Sequence, residues 1–221
     1  RGAAVVYPKD AAAIVGLADV YPGCVVVEAG VGSGALTCSL LRAVGSAGFV
    51  YSFERRDDFA KIAQKNVKNF FGEMPTNWQV TLGDLQDEVT QLPEASVDRV
   101  VLDMLAPWEC IDSIAAVIRP GGVLIAYVAT TTQMSRFVED LRLDKRWTNP
   151  EGQELIQRPW HLEGLAVRPN HRMQGHTGFL VTARKLAPGT VLPTRRIRPT
   201  KGALDNVAVS SLPESTDQEL L

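Results

Sequence analysis

Three glycines on alternate positions, with an acid twenty residues further on, have the types and spacing of a ligand-binding loop. Val25, Val26 and Val27 form an apolar, β-branched run, an acid follows at Glu28, and Gly30, Gly32 and Gly34 come next, just before a helical pattern. Such a loop turns backbone N–H groups, at the positive end of a helix dipole, towards a ligand. The next predicted strand ends at Glu54, whose carboxylate can accept both hydroxyls of a ribose. A tight turn without a ligand is the alternative.

The glycine spacing and the acid before it distinguish between two cofactors. Dinucleotide sites favour G-x-G-x-x-G, in which the loop holds a pyrophosphate. Here the pattern is G-x-G-x-G, and Glu28 stands two residues before Gly30. A carboxylate at that place would repel a pyrophosphate, but it can reach the ammonium of an amino-acid moiety directly or through water. The loop therefore favours S-adenosylmethionine (SAM) over NAD, and it resembles the first motif of the class I methyltransferases.

Three further positions could complete the adenosine part of such a site. Asp84 and Leu85 follow the third predicted strand, where related methyltransferases place an acid against the adenine amine. An Asp at a strand end is also a common turn former or helix cap. Phe59 could cover the adenine or the ribose edge, or it could be one core residue in a helical stripe.

Asp103 is the candidate catalytic residue, because it ends the fourth predicted strand in Asp-Met-Leu-Ala-Pro-Trp. Methyl transfer to nitrogen is an in-line displacement in which the acceptor gains positive charge. A carboxylate that accepts a hydrogen bond from an adenine 6-amino group can orient the ring and stabilise that charge. The proton is then lost to Asp103 or to water. Trp108 could stack on a flipped base, or it could be a packing anchor.

Composition excludes several classes of protein. With 221 residues, of which 45% are hydrophobic, the chain can bury the core of one α/β domain. No run reaches the roughly 20 apolar residues of a membrane span, and no signal segment is visible, so we expect a cytoplasmic protein without a membrane partner. The three cysteines and three histidines are scattered, which predicts reduced thiols and no metal site.

The net charge of −2 conceals a strongly basic segment. Residues 156–201 carry nine Lys and Arg against a single acid. A local patch of this kind can hold phosphates whatever the charge of the whole chain. A solvated face or a subunit contact is the alternative.

Alternating helices and strands must position these residues. Beyond the strand at 25–29, the pattern predicts strands over 48–53, 78–82, 97–102, 123–128, 153–162 and 178–186, and helices over 35–44, 57–72, 108–118 and 132–142. This order is typical of a doubly wound, mostly parallel, seven-stranded Rossmann-like α/β sheet. Ligands of such sheets bind beyond the carboxyl ends of the strands, where Gly30, Glu54, Asp84 and Asp103 all fall.

Five segments together resemble the tRNA (adenine-58-N1)-methyltransferases, and the resemblance covers residues 1–187. They are Val6-Tyr7-Pro8-Lys9-Asp10, Glu28 to Thr37, Phe53-Glu54-Arg55-Arg56, Asp103 to Trp108, and His176-Thr177-Gly178-Phe179-Leu180. The glycine motif is shared by all class I methyltransferases, whereas Tyr-Pro-Lys-Asp and His-Thr-Gly-Phe are much more specific. The resemblance implies a homotetramer that methylates N1 of an adenine in the T-loop of tRNA.

The resemblance also implies roles for particular residues. It places the catalytic carboxylate on Asp103 and SAM contacts on Ser33, Gly34, Ala35, Leu36, Glu54, Phe59, Asp84 and Asp103. Tyr7 precedes the first helix, in a segment that often covers the cofactor, and it could contact the target base or pack beneath that cover. We assign contacts with RNA phosphates or between subunits to the residues of the basic segment, Arg158, His171, Arg172 and His176.

Two departures from the family pattern limit the resemblance. Many members have Asp-Leu-Pro where this chain has Asp-Met-Leu-Ala-Pro, which leaves the loop beside the acceptor undefined. We expect a catalytic domain over 1–187 and an extended tail over 188–221, without the small N-terminal β domain of the family. A chain lacking that domain could hold SAM and yet bind tRNA poorly.

Other functions remain open from the sequence. The same fold could methylate a protein or a small molecule, although the basic segment weighs against it. A non-catalytic tRNA-binding subunit would not need the glycine loop and Glu54. A nicotinamide oxidoreductase is disfavoured by Glu28 and the glycine spacing.

Overall fold

Helices and strands alternate along residues 5–193, the part of the chain that a computed structural model describes. The helices are α1 (Pro8–Leu17), α2 (Ala35–Val44), α3 (Asp57–Phe71), α4 (Leu85–Glu88), α5 (Ile111–Val117) and α6 (Thr131–Asp144). The strands are β1 (Val25–Ala29), β2 (Phe49–Glu54), β3 (Trp78–Leu82), β4 (Val97–Asp103), β5 (Ile118–Val128), β6 (Glu151–Gln153), β7 (Trp160–Glu163), β8 (Ala166–Pro169) and β9 (Phe179–Arg184). None of the helices in this range is long and apolar enough to cross a membrane.

Seven strands form one sheet in the order β3-β2-β1-β4-β5-β9-β6. The first five strands pair in parallel, and β9 pairs antiparallel with both β5 and β6. The predicted mostly parallel, seven-stranded sheet is therefore confirmed. Because the chain moves outward from β1 to β3 and then returns to place β4 beside β1, the switch point lies at the carboxyl ends of β1 and β4.

Two apolar layers cover the faces of the sheet. On one face α1, α2 and α3 contribute Ile14, Leu40 and Val67, all fully buried. On the other, Ile114 of α5 and Phe137 of α6 pack against the strands. Parallel strands that are buried on both faces need continuous apolar runs, which explains the Val-rich segments in the sequence.

The prediction of one strand over 153–162 is wrong. The strand β6 ends at Gln153, and β7 begins only at Trp160, in a separate two-stranded hairpin with β8. Pro159 lies between the two strands, and a proline cannot donate a backbone hydrogen bond to a ladder. The hairpin turns at Gly164, whose φ of 53° lies in the left-handed region that glycine favours.

The helix predicted over 108–118 and the strand predicted over 123–128 directly adjoin each other in the structure. A 3₁₀ turn over Pro107–Cys110 leads into α5, and β5 already starts at Ile118. The pairing of β5 with β4 changes register between Val97 and Arg99, and this irregularity accommodates the exposed Pro120. The predicted tail lies outside the described residues from position 194 onward.

Candidate active site

A cavity of about 640 Å³ opens at the carboxyl ends of β1, β2, β4 and β5. Its volume falls within the roughly 300–1,000 Å³ of small-molecule sites. Parallel strands bring their carboxyl ends to one edge of the sheet, so residues distant in sequence share its wall. Of the predicted site residues, the cavity is lined by Tyr7, Gly30, Gly32, Glu54, Phe59, Leu85 and Asp103.

The glycine loop crosses the sheet edge in close contact with its neighbours. Gly30 has a φ of +83°, and a Cβ on it would lie 1.8 Å from the carbonyl oxygen of Asp103. Gly34 has a φ of +79°, and a Cβ there would lie 3.1 Å from Val67 of α3. Both positions therefore require glycine, since a side chain would push the loop away from β4 or from α3. The consequence is that Gly30 and Asp103 lie on the same rim of the cavity.

Glu54 is held in place by two backbone N–H groups. The Gly32 N–H donates to its Oε2 at 3.1 Å, and the Arg56 N–H donates to its Oε1 at 3.0 Å. The Glu54 side chain is buried, and its accessible part lines the cavity. Each carboxylate oxygen has a second lone pair, so Glu54 can still accept hydrogen bonds from two ligand hydroxyls.

Asp103 ends β4 inside the cavity, close enough to Glu54 for the two charges to interact. Burial, and then the charge of Glu54, raise the pKa of Asp103 to about 7. A cation in the cavity would relieve this repulsion, whereas a pyrophosphate would increase it. The negative charge of the two acids therefore favours a cationic cofactor such as SAM and disfavours a dinucleotide.

The structure does not bring Glu28 to the cavity, contrary to its predicted contact with the cofactor. Its carboxylate is fully buried and accepts hydrogen bonds from Thr37 at 2.8 Å and from Ser52 at 2.6 Å. Alternation along β1 turns this side chain into the layer beneath the loop rather than towards the ligand. Burial raises the pKa of Glu28 to about 7.

The remaining predicted cofactor residues divide into two groups. The segment Ser33–Leu36 does not line the cavity: Leu36 is buried in the core, and the Ser33 carbonyl accepts a hydrogen bond from Asn66 at 3.0 Å. The Asp84 carboxylate lies against the guanidinium of Arg55 at the rim, and its neighbour Leu85 does line the cavity.

Phe59 lines the cavity with its ring already covered on one side. The guanidinium of Arg56, which itself pairs with Asp58, lies 3.7 Å from the ring centroid. One face of an aromatic ring suffices for stacking, so a purine could meet the opposite face. Phe59 is therefore more than a core residue of the α3 stripe.

A partly buried charged network, not predicted as part of the site, ties the start of α1 to Thr177 in the cavity lining. The Lys9 ammonium contacts Asp10 and Thr177, each at 2.6 Å, and it also donates to the Leu155 carbonyl at 2.8 Å. Thr177 in turn donates to Asp10 at 2.6 Å. Thr177 and Tyr7 both line the cavity, so the network holds the segment that carries Tyr7 over it. The two specific motifs, Tyr-Pro-Lys-Asp and His-Thr-Gly-Phe, meet here.

The loop after Asp103 presents Leu105, and not Trp108, to the cavity. Leu105 lines the rim, and 83% of its surface is exposed. Trp108 lies in the 3₁₀ turn, packs against the core, and has the Arg136 guanidinium 4.1 Å from its ring centroid. The ring is therefore a packing anchor, and the predicted stacking of Trp108 on a base does not match its place.

The predicted RNA contacts lie on the surface beyond the sheet. Arg158, His171 and Arg172 are exposed in the segments that flank the β7–β8 hairpin. His176 lies next to Thr177 and joins Glu154, at 3.0 Å, to the carbonyl of Ala129, at 3.1 Å. Both ring nitrogens face acceptors, and these contacts raise the pKa of His176. Within residues 5–193, no three His, Cys, Asp or Glu lie close enough to hold a metal ion.

A mostly parallel sheet of this strand order, with an acid-lined cavity at its switch point, is the architecture of class I SAM-dependent methyltransferases. Residues 2–165 match the model of the family described as tRNA methyltransferase complex GCD14 subunit, and the chain belongs to this family.

Individual proteins agree with this assignment. The tRNA (adenine(58)-N(1))-methyltransferase TrmI of Thermus thermophilus is 37% identical over 190 residues, which cover 84% of this chain and 71% of that protein. The solved structure of a tRNA (m1A58) methyltransferase, TrmI, from Aquifex aeolicus has a TM-score of 0.76 at 29% identity and covers 83% of this chain and 70% of its own. A SAM-dependent O-methyltransferase from Thermotoga maritima has a TM-score of 0.77 at 32% identity, with 85% and 68% covered.

Proposed function

We propose that this protein is an enzyme that transfers the methyl group of SAM to N1 of adenine 58 in the T-loop of tRNA. The observation that supports this most directly is the pair of acids Glu54 and Asp103, which face one cavity in a chain that belongs to a tRNA methyltransferase family. Glu54 suits a ribose, and Asp103 suits the amino group of an adenine.

Some of the cavity residues would bind the cofactor, and Asp103 would bind the acceptor. Glu54, Gly30 and Phe59 would hold SAM, which supplies an electrophilic methyl group on a sulfonium. Asp103 accepts a hydrogen bond from the 6-amino group of the target adenine and so directs N1 into the cavity. Its negative charge stabilises the positive charge that develops on the adenine ring. With a pKa near 7, Asp103 is also suited to take up the proton that the ring then releases.

Residues outside the cavity would receive the tRNA. Tyr7, 42% exposed above the cavity, is placed to contact the target base. Arg158, His171 and Arg172 are exposed cations or potential cations that suit RNA phosphates. His176, whose raised pKa favours the charged form, lies next to Thr177 of the cavity lining.

The proposal extends to the assembly and domain organisation of the protein. The hairpin β7–β8 exposes Trp160, Leu162 and Val167, and the strand pairing puts all three on one face. Exposed apolar faces of this kind mark sites of association, and we propose that this one joins the subunits of a homotetramer. Residues 1–187 would form the catalytic domain, and 188–221 a tail. A tRNA-modifying enzyme of this kind would work in the cytoplasm.

Methylation of a defined tRNA tests the proposal. The protein is incubated with labelled SAM and an unmodified tRNA transcript, and the digested product is analysed for modified nucleosides. We expect N1-methyladenosine at position 58, and none in a transcript with guanosine there. Asp103→Asn should lower the rate by at least about 100-fold, since one electrostatic contact to the transition state is commonly worth that much.

Asp87→Asn is the matched control, because Asp87 is an exposed acid on α4 that does not line the cavity. It should methylate at the wild-type rate. A 2′-O-methylated nucleoside would assign the acceptor to oxygen, and methylation of proteins or small molecules without tRNA would reject the proposed substrate.

A further inference from the structure

Gln133 joins two loops at the rim of the cavity. It lies in the first turn of α6, and its side-chain oxygen accepts hydrogen bonds from the backbone N–H groups of Ala129 and Thr130, at 3.2 and 3.0 Å. Its side-chain nitrogen donates to the carbonyl of Leu105 at 2.9 Å. One amide therefore connects the end of β5 to the loop that follows Asp103.

The helix cap alone does not explain a glutamine at this position. Thr130 and Gln133 form a capping box, in which the Thr130 hydroxyl accepts from the Gln133 N–H at 3.2 Å. A glutamate would fill the same place in the box, and its charge would also suit the positive end of the helix. Only an amide can accept from the helix start while it donates to Leu105.

The partners fix the orientation of this amide. Its oxygen faces two backbone N–H donors, and its nitrogen faces a carbonyl oxygen. The reversed amide would set donors against donors and an acceptor against an acceptor. The link to Leu105 is therefore specific to this arrangement.

The linked loop forms the side of the cavity next to the catalytic carboxylate. Met104, Leu105 and Ala106 all line the cavity directly after Asp103. Leu105 has a side chain that is 83% exposed, so the bond to its carbonyl fixes the backbone of a residue that the core does not hold. None of the hydrogen bonds of Gln133 involves Glu54 or the glycine loop.

We propose that Gln133 is a positioning residue for the acceptor: through the Leu105 carbonyl it holds residues 104–106 in the shape that receives the target nucleotide. This inference rests on the proposed function, because the acceptor side is defined by Asp103. It predicts poorer use of tRNA without a loss of SAM binding.

Two substitutions separate the link to Leu105 from the helix cap. Gln133→Glu keeps the acceptor for the cap and removes the donor to Leu105. Thr130→Ala removes the capping hydroxyl and leaves the bond to Leu105 in place. We expect Gln133→Glu to lower kcat/KM for tRNA about tenfold, the equivalent of about 1.4 kcal/mol. SAM affinity should not fall, because Gln133 lines the cavity and a carboxylate there attracts a cationic ligand. We expect Thr130→Ala to lower the melting temperature and leave kcat/KM unchanged.

Two further measurements decide whether Gln133 acts through the loop. Leu105→Ala should lower kcat/KM for tRNA, and the double variant should lose less than the sum of the two single losses. Hydrogen exchange of the backbone at residues 104–106 should be faster in Gln133→Glu than in the wild type, and not faster in Thr130→Ala.

Wild-type use of tRNA by Gln133→Glu, or unchanged exchange at residues 104–106, would overturn the inference. Loss of SAM affinity in Gln133→Glu would also overturn it. A wild-type protein that does not methylate tRNA would reject the proposed function instead, and the exchange measurement would still decide whether Gln133 holds the loop.

Discussion

Three acids near the cofactor loop have different roles because their surroundings differ. Glu28 is enclosed by hydroxyl donors in the core, and burial raises its pKa to about 7. Glu54 is fixed by two backbone N–H groups and faces the cavity. Asp103 faces the same cavity without such donors, and burial and the charge of Glu54 raise its pKa to about 7. Residue type alone could not distinguish these roles, because each depends on the partners that the fold supplies.

The raised pKa of Asp103 predicts pH-dependent binding of SAM. Below about pH 7 the free protein holds Asp103 protonated, and a cationic ligand then loses an attractive charge. We expect the affinity for SAM, measured by calorimetry, to rise about tenfold between about pH 6 and about pH 8, following the ionised fraction of one group.

Two variants isolate the contribution of Asp103. The variant Asp103→Asn should lack this part of the rise in SAM affinity with pH. The ammonium of SAM titrates in the experiments with both proteins, so the difference between the two curves of affinity against pH reports Asp103 alone. Glu54→Gln should weaken binding and move the remaining rise to lower pH, since the charge of Glu54 helps to raise the pKa of Asp103. Identical curves for the wild type and Asp103→Asn would contradict this account.

At the scale of elements, a buried polar cluster joins three strands and a helix beneath the glycine loop. Ser52 of β2 donates to Glu28 of β1 at 2.6 Å and accepts from the indole N–H of Trp78 of β3 at 2.9 Å. Thr37 of α2 also donates to Glu28. The loop between β1 and α2 is thus supported from below by hydrogen bonds that need all four elements in register.

Ser52→Ala should destabilise the fold by about 2 kcal/mol, because it leaves the Trp78 N–H buried without a partner and removes a donor from Glu28. The folded pKa of Glu28 lies above its unfolded value, so ionisation costs stability as pH rises towards about 7. Loss of the Ser52 donor raises that pKa further, and the destabilisation should therefore be larger at about pH 8 than at about pH 5.5. Urea denaturation measures both values.

Ser39→Ala is a suitable control for this prediction. Ser39 lies on α2, and its hydroxyl reaches only the Ala35 carbonyl, at 3.5 Å. Its stability should stay within about 0.5 kcal/mol of the wild type. Adding Trp78→Phe to Ser52→Ala should cost less than the two single effects together, since the orphaned donor disappears. Additive effects would argue against a shared hydrogen-bonded cluster.

The sequence predicted elements well wherever the pattern was local. The helix over 35–44 and the strand over 78–82 are confirmed, because apolar periodicity and a flanking glycine delimit each. The prediction failed over 153–162, where the choice between one strand and two depended on which partner each half would meet. Pro159 and the turn at Gly164 were the available signals for the break.

At the scale of the whole molecule, the β7–β8 hairpin exposes an apolar face. Trp160, Leu162 and Val167 share one of its faces, while His161 and Arg168 occupy the other. A two-stranded hairpin is marginally stable by itself in water. A second copy of the chain on the apolar face would supply the missing core.

Leu162→Ser combined with Val167→Ser should weaken the assembly, while His161→Ser combined with Arg168→Ser, on the polar face, should not. Burying one such apolar side chain contributes roughly 1.5–3 kcal/mol, so the double loss should raise the concentration needed for assembly by at least about 100-fold. Light scattering coupled to gel filtration measures the mass of each variant. An apolar-face variant that keeps the wild-type mass would place the subunit contact elsewhere.

Local sequence determined the class of fold, the glycine loop, Glu54 and Asp103, because periodicity, turn chemistry and strand ends are properties of neighbouring residues. Tertiary structure alone decided that Glu28 lies beneath the loop, that Leu105 rather than Trp108 lines the cavity, and that Lys9 contacts Thr177. These outcomes depend on which face of a strand is covered and on contacts between segments more than a hundred residues apart. Such contacts form only when the whole sheet is assembled.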